Sequence, residues 1–365
     1  MSDIVAQVAA KNETTIATVT LLLSLYGDPR HLGTRSGMCT HHLESNEPTE
    51  VPLKRKMSRK ATVRTAAVAA MAAGGMLATA AAPAHAATLP EGNLANALVN
   101  YVAAPNALAG GNDWSCKPTA IHPNPVILVP GTLDNMGSTF VKTAPALKNA
   151  GYCVYSLNYG FDALSLGRAS GLAPVPTSVQ QLANFVTKVR ASTGAAKVDL
   201  VGWSQGGLLP IDYIKRYGGN TQVAHYVGWS QSSNGTTVDG FTSLASAMGV
   251  AGFPGLAFGT LDMPGVRDQL VGSAYLKGLD AVPLPTGPKY LSILTTQDEL
   301  LTPYTNGALP APATNVTIQN YCPADQTGHI GLTLDDPTLQ LTMNFLNNGS
   351  SSFKPTCTGF GMPDL

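Results

Sequence analysis

Residues 198–217 read Val198-Asp-Leu-Val-Gly-Trp-Ser-Gln-Gly-Gly-Leu-Leu-Pro-Ile-Asp-Tyr-Ile-Lys-Arg-Tyr217, and three local patterns meet in them. Val198 to Gly202 is a short, β-rich apolar run, and Leu208 to Tyr217 suits a helix. Between them Gly202-Trp203-Ser204-Gln205-Gly206 fits G-x-S-x-G. Strand, sharp turn and helix together form the context in which such a serine is pushed out of the backbone as a nucleophile. The turn is strained and crowded, so a Cβ on either flanking glycine would meet neighbouring backbone. Three fixed positions in five also arise by chance, so the context carries more weight than the pattern.

Further short apolar runs lie on either side of this segment: Val126 to Val129, Cys153 to Leu157, Val223 to Trp229, Tyr290 to Leu294 and Val316 to Ile318. They alternate with helix-period stretches, which predicts an α/β fold with a mostly parallel central sheet of about six to seven strands and helices on both faces. Val179, Leu182, Ala183, Val186 and Val189 mark one face of a crossover helix, with Ser178 and Gln181 in capping-box spacing. Near the C-terminus, Asp336-Pro337 supplies an N-cap and a first-turn proline, Leu339, Met343 and Leu346 make one face, and Gly349 ends the helix. Residues 235–285 break this rhythm with Gly, Ala, Leu and Phe and no clear strand. They read either as a small cap or lid over an apolar site or as ordinary core helix.

The 365-residue chain is 44% hydrophobic and only 12% charged, with 22 Lys or Arg balancing 22 Asp or Glu. That composition supports a sizeable core and excludes a nucleic-acid binder or a strongly acidic partner. From Met57, the basic residues Arg59, Lys60 and Arg64 precede the Ala-rich run Thr65 to Pro83 and then Ala84-His85-Ala86. This is the order of a secretory signal peptide over residues 57–86, in which Ala and Gly are too weakly lipophilic for a membrane span. Residues 1–56 are then either a mis-assigned start ahead of Met57 or an N-terminal extension lost with the signal. The expected mature enzyme is a secreted, extracellular monomer over residues 87–365. Cys39 falls outside it, leaving Cys116, Cys153, Cys322 and Cys357 for two disulfides. Three pairings are open. The early two flank the first strand and the late two the last helix, which favours 116 with 153 and 322 with 357. No spacing suggests a metal site.

A serine hydroxyl is a weak nucleophile and needs a base, and an imidazole base needs a carboxylate to hold its tautomer and its charge. On such a sheet the chain order is serine, acid, histidine. The mature chain offers His122, His225 and His329. His122 precedes the serine, His225 lies inside a strand with no strand-end acid before it, and His329 sits in a loop after the last strand. The acids in between are Asp212, Asp239, Asp262, Asp268, Asp280, Asp298, Glu299 and Asp325. Asp298 follows the strand ending at Leu294 and so meets the strand-end requirement, with Glu299 beside it as a substitute, while Asp212 falls on the helix after the elbow. The oxyanion would be met by the backbone N–H of Gln205 and by the loop Val126-Ile-Leu-Val-Pro-Gly-Thr132, where Gly131 allows the turn and Thr132 offers an N–H and a hydroxyl.

With Leu128-Val-Pro-Gly-Thr132, Trp203-Ser-Gln-Gly-Gly207, Asp298-Glu299 and Gly328-His329 in this order, the chain resembles the extracellular lipases of the α/β-hydrolase superfamily, the group of Candida antarctica lipase B and its bacterial relatives. The resemblance spans most of the mature chain and implies the α/β-hydrolase fold and a Ser204–His329–Asp298 triad. It places both cysteine pairs where two of that group's disulfides fall. It also implies that Trp203 floors the alcohol pocket and that Gln269 lines the acyl channel. Ser232 stands where the group has a buried aspartate, so acyl-pocket polarity does not transfer. The expected function is hydrolysis of carboxylic esters, most naturally triacylglycerols, with a lipid or other ester met at an oil–water interface and no cofactor. The alternatives are a polyester depolymerase or cutinase-like esterase and, in another class, a non-catalytic binding protein on the same scaffold.

Overall fold

Along the strand Val126–Val129, side chains point alternately to two opposite faces, and both faces are buried. Ile127 and Val129 enter one core with Leu182, Val186, Leu208 and Ile211, while Val126 and Leu128 enter another with Leu147, Trp203, Trp229 and Leu341. A strand buried on both sides reads as a continuous apolar run, which explains why these segments were visible in the sequence. The computed structural model describes residues 87–162, 165, 167–237, 239–240 and 263–363. The N-terminal extension 1–56, the signal peptide 57–86, Cys39, Asp262 and residues 241–262 of the candidate cap lie outside the described residues.

Among the described residues six strands build one sheet: β1 (Val126–Val129), β2 (Val154–Ser156), β3 (Val198–Trp203), β4 (Val223–Trp229), β5 (Lys289–Leu294) and β6 (Thr314–Thr317). Their order is β2-β1-β3-β4-β5-β6 and every pairing is parallel. Helices pack on both faces, and the architecture is that of an α/β hydrolase. The chain runs outward from β1 to β2 and then returns to β3 on the other side of β1. The crevice beyond the carboxyl ends of β1 and β3 is therefore the switch point at which open α/β sheets place their ligands. The G-x-S-x-G turn and the Thr132 loop are the two segments that open into it.

The helices are α1 (Leu94–Ala103), α2 (Met136–Thr139), α3 (Thr143–Asn149), α4 (Val175–Thr193), α5 (Gln205–Arg216), α6 (Pro264–Asp268), α7 (Ala274–Asp280) and α8 (Asp336–Leu346). The crossover helix α4 buries Val179, Leu182, Val186 and Val189 as expected. Truncating one of them, such as Leu182→Ala, costs about 2–5 kcal/mol. Its start differs from expectation: it begins three residues before Ser178, on a first turn carrying Pro176, with Pro174 as the capping residue. The Ser178–Gln181 capping box is not made, and Gln181 Oε1 instead accepts the Gly160 N–H at 2.8 Å. At α8 the cap is Asp335, which accepts from Thr338 N at 2.8 Å, so the expected Asp336 lies one residue inside and Pro337 takes the second position.

Disulfides join Cys116 to Cys153 and Cys322 to Cys357, closing spans of 37 and 35 residues. On the chain-entropy view each removes about 4 kcal/mol of freedom from the unfolded state. Within residues 235–285, the described part holds α6, α7 and a bridge between Thr236 and Leu270.

Candidate active site

The turn after β3 holds Ser204 at φ 57° and ψ −126°, a conformation rare for a residue with a side chain. Such strain costs about 1–3 kcal/mol and persists only where the surroundings impose it. Here they do. Ser204 N donates to Trp229 O at 2.9 Å, and a Cβ at Gly202 would overlap the Gly206 carbonyl, as one at Gly206 would overlap the carbonyls of Val129 and Pro130. Gly202 is thus required by the tight return of α5 over the end of β3, and Gly206 by the approach of α5 to the end of β1. Gln205 opens the twelve-residue helix α5, so its backbone N–H belongs to the first turn, which has no intrahelical acceptor, at the positive end of the helix dipole.

His329 and Asp298 come together from two loops 31 residues apart. His329 Nδ1 lies 3.0 Å from Asp298 Oδ1 and 2.9 Å from Oδ2, and both side chains are buried. The carboxylate is itself oriented, accepting from Leu300 N at 3.0 Å and Leu301 N at 2.6 Å. A carboxylate can only accept, so Nδ1 carries a proton, which leaves Nε2 as the nitrogen able to serve as a base. Trp203 Nε1 donates to His329 O at 2.9 Å, and the two rings pack with centroids 5.2 Å apart. The residue before Ser204 thereby anchors the histidine loop directly to the elbow. Trp203 is fully buried, and a Cβ on Gly131 would strike its ring.

Thr132, on the loop after β1, is buried beside the same crevice. The next residue, Leu133, has φ 64°, and its turn is stitched to the 167–173 loop by Leu133 N to Ser170 O at 2.9 Å and Ser170 N to Asp134 O at 2.8 Å. Asp134 is buried and accepts from Asn135 N, Ser138 Oγ and Thr139 Oγ1. Burial pushes its carboxyl up, and the hydrogen bonds from Ser138, Thr139 and Asn135 pull the other way. Sequence reasoning passed over Asp134; the Asp-Asn pair just ahead of α2 was the available signal. Gln269, at the end of α6, donates from Nε2 to Thr132 Oγ1 at 3.0 Å and accepts from Ser232 Oγ at 2.8 Å through Oε1.

Three of the remaining acids and the other two histidines have partners elsewhere. Asp212 pairs with Arg216 and accepts from Tyr275 OH, Asp268 accepts from Val175 N at 3.0 Å, and Asp325 accepts from Thr327 N at 2.8 Å. His122 stacks on Tyr152 with centroids 3.9 Å apart. His225 has a carboxylate partner that sequence reasoning missed: Asp199, directly across the β3–β4 register, at 2.9 Å. Among the described residues no cluster of His, Cys, Asp and Glu has the makings of a metal site.

Compared with protein families, residues 123–341 match the model "Lipase (class 2)". No curated protein matches the sequence. Among solved structures the chain is similar to lipase B of Aspergillus fumigatus, at 19% identity and a TM-score of 0.49, over 70% of this chain and 56% of that one. It thus spans little more than half of that enzyme's length. It is also similar to the mature lipase BlEst2 of Bacillus licheniformis (16% identity, TM-score 0.46, 63% and 94% covered) and to a monoacylglycerol lipase of Paleococcus ferrophilus (13%, 0.42, 64% and 96%).

Proposed function

This chain belongs to the class 2 lipase family, and on that premise we propose that it is a secreted triacylglycerol lipase working through an acyl-enzyme on Ser204. The observation that carries this reading is the buried His329–Asp298 pair, tied through Trp203 to the strained turn that presents Ser204. Ser204 Oγ attacks the ester carbonyl carbon as its proton passes to His329 Nε2. Asp298 steadies the imidazolium so formed. The carbonyl oxygen, now an oxyanion, is met by the N–H groups of Gln205 and Thr132 and by the Thr132 hydroxyl. Collapse breaks the ester C–O bond, and the alcohol leaves with the proton from His329. Water then adds to the acyl-enzyme with His329 again as base, and the carboxylic acid departs as Ser204 regains its proton.

Two disulfides suit an oxidising compartment and support export after residue 86. Among the described residues no helix is long and apolar enough to cross a membrane. A lipid surface as the meeting place is supported by α1, which has no charged residue and buries none of its side chains, with Leu98 62% and Val102 59% exposed. Tyr101 OH donates to Leu133 O at 3.0 Å and Asn100 Nδ2 to Gly137 O at 2.9 Å, which place this apolar helix against the oxyanion loop. Rates on emulsified triglyceride and on polyester film, compared at equal enzyme, test the substrate. Faster release of fatty acid from the emulsion is expected, with Leu98→Glu slowing that release and sparing a soluble butyrate ester. Faster erosion of the film would make the protein a polyester hydrolase, and no turnover of either would make it a binding protein.

A further inference from the structure

Thr132 can act as a side-chain donor only if its hydroxyl hydrogen points at the substrate, and three buried groups outside the proposed triad decide where it points. Gln269 Nε2 lies 2.8 Å from Gly265 O as well as 3.0 Å from Thr132 Oγ1. A peptide carbonyl only accepts, so the atom facing it is the NH2 of the amide and the amide orientation is settled chemically. Its Oε1 therefore faces Ser232 Oγ at 2.8 Å and takes the serine's hydrogen. One amide hydrogen goes to Gly265 O and the other to Thr132 Oγ1. All three side chains are at most 2% exposed, so water does not compete.

We infer that Gln269 is a positioning residue which, held by Ser232 and the Gly265 carbonyl, turns the Thr132 hydroxyl hydrogen toward the oxyanion. Because Thr132 Oγ1 accepts from Gln269, its own hydrogen must leave in another direction, toward the nearest strong acceptor, which during turnover is the charged oxygen. A donor aimed before the charge develops stabilises it without reorganisation. The same Gly265 carbonyl accepts from Gln205 Nε2 at 3.1 Å, so the first turn of α6 brackets both residues proposed to supply the oxyanion donors. Ser232 matters because it can donate. An ionised carboxylate at 232 would demand the amide NH2, turn Oε1 toward Thr132 and capture the hydroxyl hydrogen that the oxyanion needs.

This inference rests on the Ser204 and Thr132 assignments above. Steady-state kinetics on soluble p-nitrophenyl butyrate test it in a double-mutant cycle. Gln269→Leu is expected to lower kcat about tenfold with KM within about twofold, and Thr132→Val to lower kcat about a hundredfold. Adding Gln269→Leu to Thr132→Val should then cost less than about twofold, since no hydroxyl remains to be aimed. Ser232→Asp provides an independent arm: its kcat relative to the wild type at the same pH should recover on acidification, as the new carboxyl gains a proton it can donate. An equal loss from Gln269→Leu in both backgrounds, an unchanged kcat, or a flat pH ratio for Ser232→Asp would each overturn it. If Ser204→Ala keeps full activity, the nucleophile assignment fails instead, and the cycle is read separately from it.

Discussion

Among the described residues are two buried histidine–aspartate pairs with nearly the same geometry, at opposite ends of one sheet. His329 Nδ1 meets Asp298 at 2.9 Å beyond the carboxyl end of β5, and His225 Nδ1 meets Asp199 at 2.9 Å near the amino ends of β3 and β4. Their surroundings separate them. His225 Nε2 faces Asn348 Oδ1 at 3.0 Å, and Lys289 Nζ donates to that same oxygen at 2.5 Å, which identifies it as an acceptor. Both ring nitrogens of His225 therefore face acceptors, and the ring is held as an imidazolium strut. Burial alone would lower its pKa, but the hydrogen bond and charge of Asp199 outweigh that and raise it above the ordinary value. His329 meets its carboxylate through Nδ1 in a loop that Trp203 ties to the strained serine's turn, at the switch point of the sheet. A His–Asp contact is thus no sign of catalysis by itself, and its place on the fold decides its use.

The strongest way to break the comparison is to remove each histidine in turn. His329→Ala is expected to lower kcat on a soluble ester by about 10⁶-fold while the protein remains folded. His225→Gln should leave kcat within about threefold and cost about 3 kcal/mol of stability, because Asp199 is left buried with its countercharge gone. The aspartates should divide in the same way with smaller effects: Asp298→Asn lowers kcat about 10⁴-fold by favouring the wrong tautomer, whereas Asp199→Asn shows its loss only in thermal unfolding. A large kcat loss from either variant of the strand pair would erase the distinction.

The smallest effect is in pH. His225 has a folded-state pKa above its unfolded value of about 6.5, so its stabilisation is complete below that value and is lost as pH rises through the raised one. The difference in melting temperature between the wild type and His225→Gln should accordingly be larger at pH 5.5 than at pH 9. A gap that widens with pH would show that His225 is neutral in the fold.

How much of this was legible beforehand depended on how local the signal was. Strands buried on both faces announced themselves as apolar runs, and Ser204 by glycines that neighbouring carbonyls make obligatory. Chain order then brought His329 and Asp298 into view together. Helix starts were harder to read, because Ser178 and Asp336 carry good capping chemistry but the chain reaches helical geometry before Ser178 and caps α8 from Asp335. The Asp199–His225 pair was hidden because it depends on the parallel register of two strands. The Gln269 chain was hidden further, since its meaning lies in amide orientation, set by Gly265, Ser232 and Thr132 from three separate segments.

The assignment of Ser204 is tested most directly by treating the protein with a fluorophosphonate and locating the adduct by peptide mass spectrometry. A single adduct on the peptide containing Ser204 is expected, with Ser204→Ala both unlabelled and inactive on a p-nitrophenyl ester. An adduct elsewhere, or a Ser204→Ala variant that hydrolyses the ester at a rate near the wild type's, would contradict it.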